Sequence, residues 1–273
     1  MTHAIGRAVV LARGLGTRMR RDDPGAAQDA AQARVADTGL KAMIPIGRPF
    51  LDYVLSSLAD AGLTSVCLVV GPEHQAVEDY YTRVAPPRRV HVEFAVQPEP
   101  RGTADAVRAA RAWTGGDPFV VLNSDNLYPV ESLRALALAT PPALAAFHRE
   151  NLVRDGNIDP DRLAHFALLE LSADGFIADL VEKPDPATFA RLSSQPYVSM
   201  NSWAFDERIF DACERVSLSD RGELELPQAV RLAVRQLGAR VRVICFDLPV
   251  LDLSRRRDIA TVAAHLAAVT PDP

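Results

Sequence analysis

The chain has 273 residues, 48% of them hydrophobic, and 30 Lys and Arg against 35 Asp and Glu give a formal net charge of −5. That length can bury a large core, and the acidic balance without a basic stripe excludes a nucleic-acid scaffold, so no nucleic-acid partner is expected. No apolar stretch approaches the ~20 residues of a membrane span and no signal-peptide pattern opens the sequence, so the expected protein is cytoplasmic, with no membrane partner.

The predicted elements alternate through the first half. Apolar, β-branched runs at Ala8–Ala12, Ser65–Val70, Val90–Val96 and Phe119–Asn123 read as strands. Between them, Phe50–Ala61 places Leu51, Val54, Leu55 and Leu58 on one helical face, and Ala-rich Gly102–Trp113 repeats Ala104, Val107 and Ala110 at helical spacing. Strands alternating with helices predict an α/β, Rossmann-like, mixed and mostly parallel sheet flanked by helices. The second half changes character. "FALLELSADGFIADLVEKP" reads as a small β-hairpin turning at Ala173–Asp174–Gly175. A strand at Val198–Phe205, a helix from about Leu226 to Leu237, a strand at Val241–Phe246 and a helix near Asp258–Ala268 follow. Cys67, Cys213 and Cys245 lack metal-ligand spacing and read as reduced core residues. With no repeat and no linker, residues 1–273 read as one domain, about 1–140 forming one half and 141–273 the other. Residues Arg20–Gly39, polar and Ala-rich without an apolar stripe, read as a long loop or short exposed helix beside a site, not as core.

The stretch "LARGLGTRMR", residues 11 to 20, follows the first strand. It is not a P-loop, because no G-K-[ST] follows Gly14 and Gly16. Nor is it a dinucleotide fingerprint, because Met19 stands where the third glycine belongs. What remains is a glycine turn that exposes backbone N–H groups, with Arg18 able to grip phosphate oxygens in a fork. Asp125 ends the strand "VLNSD", and in open α/β sheets ligands bind at such carboxyl ends.

Taken in order, "LARGLGTRMR", Lys41 in "LKAMIP", "QPEPRGTADAV", "VLNSDN", "VEKP", "RGELELP" and "VLDLSRRRDI" resemble the sugar-1-phosphate nucleotidylyltransferases, from Ala8 to about Ile259. The resemblance implies a fold of the nucleotide-diphospho-sugar transferase type, with the hairpin region binding sugar. It implies a magnesium-dependent reaction in which a sugar 1-phosphate, or a sugar-like cyclitol phosphate, attacks the α-phosphorus of a nucleoside triphosphate. The partners are then these two small molecules, and a homo-oligomer is compatible with the reading. Carried over residue by residue, Asp125 and Asp252 are the Mg²⁺ ligands. Arg18 and Lys41 meet the triphosphate. Leu11, Gly14, Gly16 and Thr17 cradle the nucleotide, and Gln97, Gly102 and Thr103 meet its base. Lys183 holds the sugar phosphate, with Glu182 and Asn201 on the sugar. Glu223 reads as a buttress, and Trp203 as either core or pocket wall.

Four departures bear on this. After Asp252 the family continues with a Thr-Gly-Thr type run, whereas here Leu253, Ser254 and Arg255 follow. Arg13 stands at a position usually small, with a phosphate contact or a solvent-facing side chain both open. His165-Phe166-Ala167 stands where relatives often have Tyr-Gly. Met200-Asn201-Ser202-Trp203 stands where relatives often have a glycine followed by a tyrosine. The last two place both altered edges at the sugar, and the expected acceptor is a modified hexose, heptose or cyclitol phosphate instead of glucose 1-phosphate. Two rival readings make different demands on the sequence. A silent regulatory homologue would lose one of the five charged residues Arg18, Lys41, Asp125, Lys183 and Asp252. A glycosyltransferase using an NDP-sugar would favour Asp-x-Asp where Asn123-Ser124-Asp125 stands.

Overall fold

The computed structural model describes residues 4–21, 23–163, 166–181, 186–192 and 195–273. Among these the strands are, in chain order, β1 (Arg7–Leu11), β2 (Pro45–Ile46), β3 (Arg48–Pro49), β4 (Ser65–Val70), β5 (His91–Val96), β6 (Phe119–Asn123) and β7 (Asn126–Leu127). They continue as β8 (Ala143–His148), β9 (Ala167–Leu171), β10 (Ile177–Val181), β11 (Tyr197–Phe205), β12 (Arg242–Phe246) and β13 (Leu251–Asp252). Nine strands join one sheet in which β10, β9, β11, β6, β1, β4 and β5 lie side by side, while β8 pairs with β11 and β12. From β6 through β1 and β4 to β5 every pairing is parallel, and β11 enters antiparallel to β6, β8 and β9. The α/β, mixed, Rossmann-like architecture is as the sequence predicted.

The inner parallel strands β1, β4 and β6 read as apolar runs because both of their faces are covered, whereas edge strand β5 leaves His91, Glu93 and Val96 exposed. Side chains alternate across a strand, so Ala8 and Val10 of β1 enter one core while Val9 and Leu11 enter the other. Helix Phe50–Asp60 covers the first face with Phe50, Leu51, Val54, Leu55 and Leu58, all essentially buried. At about 1.5–3 kcal/mol for each large side chain fully buried, that face outweighs any intrinsic helix preference. The second face is covered by helices Arg208–Arg215 and Leu226–Gln236. The one polar intrusion in Phe50–Asp60, fully buried Asp52, accepts from Arg48 Nε at 2.6 Å and from the Tyr81 hydroxyl at 2.9 Å.

Some expectations needed correction. Strand β8 had been missed. Its "ALAAFH" has no β-branched residue, and alanine carries little strand preference of its own. The predicted helix over 102–113 is two helices, Thr103–Ala109 and Arg111–Thr114. Cys67 and Cys213 are core residues whose thiols burial pushes up to about 12, but Cys245 is exposed. Trp203 is core, with no exposed surface.

Candidate functional site

The turn after β1 leads into a single helical turn, Thr17–Arg20, anchored by fully buried Met19. The residue that spoils a dinucleotide fingerprint is thus a packing anchor. Gly16 adopts a left-handed conformation (φ 59°), and a Cβ on it would sit 2.2 Å from the Gly39 carbonyl oxygen. The two ends of residues 16–39 therefore close on each other. Arg20 seals the closure by donating from Nη2 to the Thr38 carbonyl at 2.7 Å. Inside this span the expected exposed helix forms at Ala30–Thr38, started by a capping box of Asp29 and Gln32.

Closure delivers Lys41 to the mouth of the sheet. Its Nζ donates to Asp125 Oδ2, and its Cε lies 3.9 Å from where a Cβ on Gly14 would stand. Arg18 and Thr17 are exposed on the same loop. Asp252 is brought beside Asp125 by backbone pairing. Strand β13 runs antiparallel to β7 with Asp252 opposite Asn126, and the Leu253 N–H donates to the Asp125 carbonyl at 2.8 Å.

The two carboxylates differ sharply in surroundings. Asp125 has 18% of its side chain exposed, and among the described residues only Lys41 donates to it. Asp252 is 5% exposed as a residue; Arg162 Nη2 donates to its Oδ1 at 2.8 Å and Asn126 Nδ2 to its Oδ2 at 3.1 Å. Its backbone is pinned on both sides by Asn157. Burial alone would raise the Asp252 carboxyl, but the Arg162 guanidinium, Ser254 and Lys41 outweigh it and hold it below the usual range. The altered turn after Asp252 has its own closure, because Asp258 Oδ2 accepts from the N–H groups of Ser254 and Arg255 at 2.9 and 2.7 Å. Buried Arg256 then ties this turn to residues 20–39 by donating from Nε to the Arg21 carbonyl at 2.9 Å and from Nη2 to Asp37.

On the other side of β1, Gln97 is buried. Its Nε2 donates to the Gly102 carbonyl at 3.1 Å and to Asp105 at 2.9 Å, so both amide hydrogens are engaged within the protein. A Cβ on Gly102 would lie 2.4 Å from the Leu224 carbonyl oxygen, and the Thr103 hydroxyl accepts from the Leu226 N–H at 2.8 Å. The glycine here makes room for the protein's own 219–226 loop. Within that loop the buried carboxylate is Glu225, bound by Arg221 and Ser219, while Glu223 is the more exposed. The buttress belongs to Glu225 and not, as expected, to Glu223. Leu11 is buried beneath the loop, and Asn201 is half-buried on β11. Glu182, Lys183 and His165 lie outside the described residues. Arg162, Asn157 and Glu225 carry no signal in the sequence, since the first two lie 90 and 95 residues from the Asp252 they hold.

Residues 35–247 match the family model for nucleotidyl transferases. The chain belongs to the nucleotidyl transferase family. It is 27% identical over 225 residues to the bifunctional protein GlmU of Methanococcus vannielii, an alignment covering 82% of this chain and 46% of that one. It is 27% identical to the UTP–glucose-1-phosphate uridylyltransferase AglF of Haloferax volcanii, over 92% of this chain and 93% of that one. The chain spans about half the length of the first curated relatives it matches, 46% of GlmU and 56% of the nucleotidyltransferase Agl11 of Haloferax volcanii. A crystal structure of UDP-glucose pyrophosphorylase complexed with UDP-glucose shares the fold, with a TM-score of 0.74 over 97% of this chain and all of that one at 17% identity. No helix among the described residues is long and apolar enough to cross a membrane.

Proposed function

We propose that this nucleotidyl transferase moves a nucleoside monophosphate from a nucleoside triphosphate to a sugar 1-phosphate. A phosphate oxygen of the acceptor forms a bond to the α-phosphorus, the bond from that phosphorus to the bridging oxygen breaks, and pyrophosphate leaves with the electron pair. The carrying observation is the bonding of Lys41 to Asp125 beside Asp252, at the ends of β6 and β13 and under the Gly14–Gly16 turn. The nucleophile is already an anion, so the chemistry needs alignment and charge neutralisation more than a base. Arg18 and Lys41 supply cations for the triphosphate and the leaving pyrophosphate. Leu11, Gly14, Gly16 and Thr17 cradle the nucleotide, while Gln97, Gly102 and Thr103 shape the base end. Lys183, Glu182 and Asn201 take the acceptor, a role that for the first two rests on the resemblance alone.

The donor set suits one hard divalent cation, Mg²⁺. Asp125 Oδ1 has no protein donor among the described residues, and the lone pairs left on Asp252 remain beside it. No group of three or more His, Cys, Asp or Glu gathers among the described residues, so phosphates and water would complete the shell. When bound, the ion would neutralise phosphate charge. The acceptor proposed is a modified hexose, heptose or cyclitol phosphate. A pyrophosphate-release assay over a matrix of nucleoside triphosphates and sugar 1-phosphates tests both levels. Silence across the matrix overturns the reaction, and efficient, preferred turnover of glucose 1-phosphate overturns the acceptor class alone.

A further inference from the structure

Arg13 stands at the turn after β1, yet its side chain is only 5% exposed. Its Nη2 donates to both Glu73 oxygens, at 3.3 and 3.2 Å, while Nε and Nη1 are buried with no partner among the described residues. The side chain lies across Gly71, where a Cβ would stand 2.4 Å from Nε, so the bare backbone there is what admits it. Glu73 is itself 46% exposed and holds the guanidinium from the solvent side. His74, buried beside it, has its basicity lowered by that burial and adds no second charge. Buried donors on a charged group are costly to leave unpaired, and where a native site does so a ligand or water commonly completes it.

The strand order says which part of a ligand would reach these donors. β6, β1, β4 and β5 are successive parallel neighbours. Asp125, Lys41 and Asp252 gather at the β6 side of β1, where the phosphates belong. Arg13 leans the other way, onto Gly71 and Glu73 after β4. The Gln97 N–H donates to the Val70 carbonyl at 2.8 Å, tying the loop after β5 to the same place. The β4–β5 side is therefore the nucleoside end.

Resting on the proposed reaction, we infer that Arg13 reads the nucleobase and selects one that carries a carbonyl oxygen. A guanidinium has five N–H donors and no acceptor, so it can pair only with an acceptor edge. Guanine, uracil, thymine and cytosine each offer a carbonyl. Adenine has no carbonyl: its ring nitrogens N1 and N7 can accept, but each flanks the amino group, whose hydrogens would meet those of Arg13, and N3 lies against the ribose. The same exclusion would hold against any purine or pyrimidine that presents an amino group at this spot.

Calorimetric titration with Mg²⁺ and UTP, dTTP, GTP, CTP or ATP tests this without turnover, on the wild type, Arg13→Ala and Glu73→Ala. The wild type should bind at least one carbonyl-bearing triphosphate about 10-fold or more tighter than ATP. Arg13→Ala should shrink that ratio to within about twofold, with ATP affinity little changed. Glu73→Ala alters only a half-exposed residue, keeps the fold, and should reduce the ratio several-fold by releasing the guanidinium. Equal weakening of all five triphosphates in both variants would make Arg13 a phosphate or structural residue and overturn the inference, as would a wild-type preference for ATP. Failure of the wild type to bind any triphosphate would overturn the proposed reaction beneath it as well.

Discussion

The ends of β6 and β13 carry the same side chain, an aspartate, and the fold treats the two in opposite ways. Asp125 keeps 18% of its side chain exposed and faces one lysine, a flexible point charge. Asp252 keeps 8% and is clasped by Arg162, itself only 5% exposed, with Asn126 on its other oxygen and Asn157 on its backbone. Two carboxylates this close repel unless each has a cation. Under the proposed reaction, Lys41 would leave Asp125 when a metal and triphosphate arrive, whereas Arg162 would stay on Asp252. The comparison teaches that equal charge at adjacent strand ends need not mean equal duty. On the proposed reaction, Asp125 exchanges partners while Asp252 stays paired with Arg162.

The largest expected effect is on turnover. Asp125→Asn should lower catalytic efficiency in pyrophosphate release by roughly 10³-fold, since under the proposed reaction it removes the more accessible metal carboxylate. Its pair with Lys41 is partly solvated, so stability should change by no more than about 1 kcal/mol. Kinetics and a urea melt on the same preparation check both halves. An Asp125→Asn protein that unfolds would erase the contrast with Asp252.

Next comes stability. Arg162→Met strands Asp252 as an unpaired buried carboxylate and should cost about 3–5 kcal/mol, read as a lower urea midpoint. Since Asp252 is held below the usual carboxylate range, with burial opposed by Arg162 as its main partner, the pair stabilises the fold above the unfolded carboxylate range. That stability is lost as pH falls through the lowered folded value. Arg162→Met should therefore narrow its deficit against wild type in acid. A deficit that stays constant down to strongly acidic pH would show that Arg162 acts by packing alone.

How much of this contrast could be read from the sequence differs between its two sides. Asp125 was legible because it ends a short apolar run between helical segments, and a parallel strand puts its last residues at the ligand end. Asp252 was legible only through resemblance, and its neighbourhood was not legible at all. Arg162 lies 90 residues away along the chain, in a Pro-Asp-Arg-Leu stretch with no periodicity to mark it. The fold followed the same rule. Strands β1, β4 and β6 announced themselves by β-branched runs, whereas alanine-rich β8 is a strand because β11 and β12 flank it. Gln97 shows the converse. The resemblance marked its position, but Gly102 and Asp105, met only in three dimensions, take its amide hydrogens.

A smaller effect sharpens the exchange side of the comparison. If Lys41 screens Asp125 until a divalent cation arrives, Lys41→Gln should bind Mn²⁺ about 10-fold tighter than wild type without nucleotide. Removing one like charge at contact distance is worth at least ~1.4 kcal/mol at an effective dielectric of about 20. Paramagnetic titration of the two proteins measures it. Weaker binding in Lys41→Gln would mean that the lysine organises the metal site instead of guarding it.

The last expected effect concerns the strand that borders β6 on its other side. Trp203 of β11 pairs with Val121 of β6, and continuing that antiparallel register would set Asn201 against Asn123, two residues before Asp125. The ladder stops short because the register shifts between Ser199 and Ser202, and Asn201 sits at φ 60°, the one non-glycine residue in the left-handed region among those described. Asparagine tolerates that conformation better than other non-glycine side chains. Its Oδ1 also accepts from Trp203 Nε1 at 3.3 Å, so it gives a fully buried indole an acceptor. Asn201→Ala loses both services, the tolerated backbone and the acceptor, and should cost about 2 kcal/mol. Asn201→Gly loses only the acceptor and should cost about 1 kcal/mol or less. The gap between the two variants in thermal melting isolates the backbone term. If alanine proves as stable as glycine, the bulge relaxes without Asn201, and the β11 edge of the site is set by the Trp203 contact instead.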